Sequence, residues 1–142
     1  LLKAESGIRL FTFVREPLGF QISLYYFERQ KGGIPNLGLI DFLETMPNFL
    51  STLFPCTEEN YREVIDRYFF IGILERMQES VDKLAKLSGK RTFIVKKENI
   101  SQKDSQRDLI DDKVIDRFKK LNKLDYMIYE YCVNKFDKIH ED

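Results

Sequence analysis

Ile8 to Val14 (IRLFTFV) is the stretch that most limits what this chain can become. It is apolar and rich in β-formers, so it reads as a buried strand. Arg15-Glu16-Pro17 ends it abruptly. Proline is favoured in the first turn of a helix, and Phe20, Leu24 and Phe27 then recur at helical spacing. The spacing predicts a helix from Pro17 to about Gln30. A strand that runs straight into a helix is the beginning of an α/β layer.

The rest of the chain continues that alternation. Lys31 to Pro35 reads as a loop, and Asn36 as the cap of a short helix containing Leu39, Ile40, Leu43 and Met46. Pro47 to Cys56 reads as irregular. Thr57, with Glu58 and Glu59 behind it, reads as a helix start. Tyr68 to Ile73 (YFFIGI) is a second buried strand. Leu74 to Leu87 is a helix with Leu74, Met77, Val81, Leu84 and Leu87 on one face and Gly89 as its stop. Thr92 to Val95 reads as a third short strand, and Lys96 to Arg107 as a charged loop. Asp111 to Leu121 and Leu124 to Phe136 close the chain as two helices. The second carries Leu124, Met127, Ile128, Tyr131 and Cys132 on one stripe. The expected architecture is therefore α/β, with few parallel strands and a mostly helical C-terminal part. Two or three strands make a thin sheet, so further strands or a partner are expected to complete it. A length of 142 residues fits one domain, residues 1–142.

Charge and cysteine content narrow the function. Lys plus Arg equals Asp plus Glu at 23 each, a balance that argues against a nucleic-acid partner. An anionic ligand would have to be held by a few placed groups. Two cysteines and the single His140 make neither a disulfide framework nor a metal signature. No apolar run escapes charge for long enough to span a membrane or serve as a signal peptide. Membrane association is expected only through a segment beyond the one given.

The segment with chemistry in it is the strand, Arg15-Glu16-Pro17 and the helix bearing Ser23. In open α/β sheets, ligands bind at the carboxyl ends of strands, where Arg15 sits. A helix start offers N–H groups and a dipole that favour an anion. Arginine holds phosphate with a permanent charge, and Ser23 could add a hydroxyl. The plainer alternative is that such junctions are only junctions, with the arginine solvated or paired.

Phe11-Thr12-Phe13-Val14-Arg15-Glu16-Pro17-Leu18-Gly19-Phe20-Gln21-Ile22-Ser23-Leu24-Tyr25-Tyr26 resembles the 3′-phosphate-binding segment of sulfotransferases that use 3′-phosphoadenosine-5′-phosphosulfate (PAPS). It is closest to the carbohydrate group that includes the heparan sulfate 2-O and 6-O enzymes and their bacterial relatives. The family pattern is an aromatic-rich strand, Arg-Asp/Glu-Pro, a second Arg, then Ser and an aromatic pair. Arg15 and Ser23 match the residues that hold the 3′-phosphate. Phe20 stands where the second Arg is usual. Gly72-Ile73-Leu74-Glu75-Arg76-Met77-Gln78-Glu79-Ser80 is similar to a family pattern near the adenine, although Glu75, Arg76 and Glu79 also suit a solvated helical face with paired charges. Lys96-Lys97-Glu98-Asn99-Ile100-Ser101-Gln102-Lys103 is similar to the late loop that closes over the nucleotide. The resemblance implies Lys97, Ser101 and Lys103 as further nucleotide contacts; a solvated charge run is the competing reading. Leu121 to Glu130 resembles the family's closing helix and is assigned to packing.

The resemblance implies a P-loop-NTPase-like sulfotransferase fold, incomplete in this chain. It implies PAPS as co-substrate without a metal, and a hydroxyl acceptor of carbohydrate type. The loops Lys31 to Asn36 and Met46 to Thr57 are the places for acceptor contacts. The loop that cradles the 5′-phosphosulfate and the usual catalytic base are both expected upstream of Arg15, so no residue of this chain is assigned the base. Eukaryotic carbohydrate sulfotransferases work in the Golgi lumen and bacterial relatives in the cytoplasm, so the compartment follows the source. The alternative is a non-catalytic interaction module that keeps the fold.

Overall fold

The computed structural model describes residues 7–33, 36–96 and 110–139. The first apolar run forms strand β1, Phe11–Val14, starting later than predicted. Ile8 and Arg9 before it are exposed, although Arg9 stacks on the Phe69 ring at 4.8 Å. Helix α1 spans Pro17–Gln30, the predicted bounds. Next come α2, Leu39–Leu43; α3, Leu50–Leu53; and α4, Tyr61–Asp66. Strand β2 is Phe70–Ile73. A 3₁₀ turn, Leu74–Arg76, leads into α5, Met77–Leu87. Helices α6, Asp112–Leu121, and α7, Lys123–Asp137, complete the described chain.

The protein is thus mixed α/β and mostly helical, with β1 and β2 paired in parallel, Phe11 opposite Phe70 and Val14 opposite Ile73. The register brings Gly72 opposite Phe13, and a Cβ at Gly72 would lie 2.4 Å from two Phe13 ring carbons. Only glycine permits that approach. Ser80, fully buried, accepts the Ile73 N–H at 2.9 Å and donates back to the Ile73 carbonyl at 3.1 Å. This clip ties the end of β2 to α5.

Several local expectations are corrected. Thr92 to Val95 is not a strand: it has no regular secondary structure, and it hydrogen-bonds side chains of α5 instead of a neighbouring strand. Gly38, not Asn36, stands at the start of α2, and it offers no side-chain cap. Met46 falls outside that helix. The Pro47 to Cys56 stretch contains α3 because a distant carboxylate caps it. Asp125, 1% exposed, accepts the N–H groups of Leu50 at 2.9 Å and Ser51 at 3.0 Å. Thr57 does not open α4. Its N–H bonds Asn60 Oδ1 at 2.7 Å in a turn, and the helix begins at Tyr61. The helix expected from Leu74 begins at Met77, and the ends of the expected stripe, Leu74 in the 3₁₀ turn and Leu87 on α5, are exposed, while Ser80, Val81, Lys83 and Ala85 are buried. Gly89 does stop α5. At φ +66° it donates to Lys86 while Lys90 donates to Ala85 at 2.8 Å, the paired closure that a left-handed residue allows.

The core lies between the sheet, α3, α4 and α7, where Val14, Phe70, Ile73, Ile65, Ile128 and Phe136 meet. Burying each large aliphatic side chain contributes about 1.5–3 kcal/mol. Cys132 belongs to this core, and burial pushes its thiol up to about 12. A second cluster joins α1, α2 and α6 through Leu18, Ile22, Leu43 and Phe118. Lys83, 5% exposed, donates to the Phe136 carbonyl at 2.9 Å and lies 4.3 Å from the ring of the same residue. A cation there complements the carbonyl end of α7.

Candidate functional site

Parallel pairing places the carboxyl ends of β1 and β2 side by side, so Arg15-Glu16 and Leu74-Glu75-Arg76 share one edge of the sheet. The Glu16 N–H donates to Glu75 Oε1 at 2.7 Å and ties the two exits together. Helix α7 contributes two tyrosines to the same edge. Tyr129 donates to Glu75 Oε1 at 2.7 Å, and Tyr126 donates to Glu16 Oε1. Burial, and then the hydrogen bond to Glu75, hold the Tyr129 hydroxyl well above its ordinary value.

Arg15 follows β1 directly and is half-buried; Ser23 is half-buried on α1. Ser23 stands six positions after Pro17, about 9 Å along the helix axis. The start of α1 is not open to an anion as expected. Glu16 turns back and accepts the N–H groups of Leu18 at 3.3 Å and Gly19 at 2.8 Å. The Phe20 N–H bonds the Glu16 carbonyl at 2.9 Å, and Pro17 has no N–H to give. A phosphate beside Arg15 would therefore be held by side chains. Lys97, Ser101 and Lys103 lie outside the described residues.

A cleft of about 790 Å³ opens where β2 ends, lined by residues 74–79 on one side and 94–96 on the other. That volume suits a ligand of nucleotide or drug size. Its second wall belongs to the irregular segment over residues 91–96, which one amide holds against α5. Gln78 Nε2 donates to the Phe93 carbonyl at 2.9 Å, and Gln78 Oε1 accepts the Val95 N–H at 2.7 Å. Thr92 adds a hydrogen bond to Asp82. Beside the cleft, Arg76 bonds Glu79 through two nitrogens at 2.7 and 2.9 Å and Asp137 at 2.6 Å. The guanidinium lies 4.7 Å from the Phe136 ring. The bond to Arg76 holds the Glu79 carboxyl below its usual range. The expected pairing of Arg76 with Glu79 is present, and Glu75 acts apart from it.

Sequence reasoning did not find the Glu16–Glu75–Tyr126–Tyr129 web. Tyr126 and Tyr129 are three residues apart and share a helix face, but nothing local says that the face meets residues so far away in the chain. Among the described residues, no group of three or more His, Cys, Asp or Glu side chains is placed to hold a metal ion. Among them too, no helix is long and apolar enough to cross a membrane. Comparison of the chain with protein-family models, curated proteins and solved structures finds no match.

Proposed function

We propose that this chain carries the 3′-phosphate and adenine side of a PAPS site, in a sulfotransferase that transfers the sulfuryl group to a hydroxyl of a carbohydrate-type acceptor. The observation that carries the reading is the shared edge. An arginine leaves β1, a nucleotide-sized cleft opens at the exit of β2, and the Glu16–Glu75 hydrogen bond joins them at 2.7 Å. Ligands of open α/β sheets collect at that edge. In this reading Arg15 holds the 3′-phosphate, with Ser23 adding a hydroxyl donor. The adenine enters the cleft between Met77 and Val95. The family resemblance adds Lys97, Ser101 and Lys103, which follow the second wall in sequence, as further nucleotide contacts. The two strands belong to a P-loop-NTPase-like sulfotransferase fold. The reaction is in-line attack of the acceptor hydroxyl oxygen on sulfur: the bond from sulfur to the 5′-phosphate oxygen breaks, 3′-phosphoadenosine-5′-phosphate leaves, and the hydroxyl proton passes to a base that is assigned to no residue of this chain.

Calorimetric titration with 3′-phosphoadenosine-5′-phosphate, beside adenosine-5′-phosphate, tests the reading. Binding should require the 3′-phosphate. Arg15→Ala, checked for native circular dichroism, should weaken it by roughly ten- to a hundredfold, the value of a charged contact of about 1.5–3 kcal/mol. Equal affinity for both nucleotides, or an unaffected variant, would refute it.

A second reading, a non-catalytic interaction module, is favoured by the exposure of Phe93 (65%) beside the cleft and of Ile94 (88%) in its wall.

A further inference from the structure

The wall over residues 91–96 carries a pattern that reaches beyond the cleft: Ile94 and Lys96 line the cleft, while Arg91 and Phe93 do not. Phe93 and Ile94 stand at 65% and 88% exposure, with Leu87 at 40% near the end of α5. Lys86, Lys90 and Arg91 precede them, Lys96 follows, and all four are exposed. The backbone between is fastened to α5 by Gln78 and Asp82, so the segment is presented on a scaffold. Of the nearby acids, Glu79 is paired with Arg76, and Asp82 keeps its charge while accepting from Thr92 and Gln78, so one acid stands against four cations. What faces outward is an apolar tip between basic flanks.

We infer that this segment docks the protein on an anionic lipid surface, with Phe93 and Ile94 entering the headgroup region and Lys86, Lys90, Arg91 and Lys96 meeting the lipid charges. Charge complementarity selects the partner's sign. Size selects a bilayer over an acidic protein. A stable protein interface buries about 800 Å² on each partner, which a segment this short cannot supply. A bilayer accepts a phenyl ring and an aliphatic side chain without a shaped pocket, and each Lys or Arg near it adds about fivefold to the partition. Two apolar side chains and four cations make a reversible contact. It shares Ile94 and Lys96 with the cleft but does not depend on what the cleft binds.

The chain contains no tryptophan, so Phe93→Trp is a clean reporter. Mixed with vesicles of phosphatidylcholine and phosphatidylserine, that variant should shift its emission to the blue and be quenched by brominated acyl chains. Vesicles of phosphatidylcholine alone should do neither. In flotation assays of the unlabelled chain, Lys90→Gln with Arg91→Gln should weaken binding about 25-fold. Phe93→Ser with Ile94→Ser should weaken it about tenfold or more, with unchanged circular dichroism. The inference is overturned if anionic vesicles leave the Trp spectrum unchanged, or if the serine variant binds as the parent does. It is equally overturned if soluble polyglutamate, and not the vesicles, is the tighter partner, which would mark an acidic protein surface.

Discussion

Replacing Asp125 by alanine tests whether a single carboxylate on α7 builds the irregular stretch before α4. The side chain is 1% exposed and holds the N–H groups of Leu50 and Ser51 at 2.9 and 3.0 Å. Its truncation strands both donors, and a buried donor left without an acceptor costs about 1–3 kcal/mol. Two effects lower the sum. Ser51 is only half-buried and can recover a water, and removing a buried carboxylate relieves its own desolvation. A net loss of about 2–4 kcal/mol remains. For a chain of 142 residues, an unfolding entropy of about 0.3 kcal/mol/K turns that into a Tm fall of roughly 7–13 °C. Burial raises the Asp125 carboxyl above its ordinary value, against the pull of the two N–H bonds. The native state therefore keeps this proton at a pH where the unfolded chain has released it. Its contribution is full below the ordinary aspartate range and falls as pH climbs above that value. The gap between parent and Asp125→Ala should narrow across that window. Differential scanning calorimetry over mildly acidic pH measures both. A Tm fall below about 2 °C, or a gap that widens with rising pH, would refute the reasoning.

Gly72→Ala should cost about 2–3 kcal/mol by denaturant titration, because the new methyl meets the Phe13 ring at 2.4 Å. Adding Phe13→Leu should recover part of the loss, and failure to do so would mean the clash lies elsewhere. In alkali, Tyr129 and Tyr131 keep protons that the unfolded chain releases near pH 10, the first through burial and Glu75, the second chiefly through Asp66. Stability should therefore fall as pH rises above that value, and Tyr129→Phe should flatten the slope, read by tyrosinate absorbance and circular dichroism.

What the sequence determined by itself was local. Pro17 and the 3.6-residue recurrence placed α1 to the residue, Gly89 placed the end of α5, and the two apolar runs placed both strands. Each is decided by a residue's own backbone preference or by a period within one element. Arg15 at a strand's carboxyl end was legible for the same reason. What failed needed a partner far along the chain. Helix α3 exists because Asp125 caps it from 75 residues away. Thr92 to Val95 has the composition of a strand, yet Gln78 took the hydrogen bonds a neighbouring strand would have made. The start of α1 looked open to an anion until Glu16 folded back onto it. The joining of Glu16, Glu75, Tyr126 and Tyr129 at one edge was invisible for the same physical reason. Side-chain hydrogen bonds between distant residues are set by how the elements pack, and no local propensity encodes them.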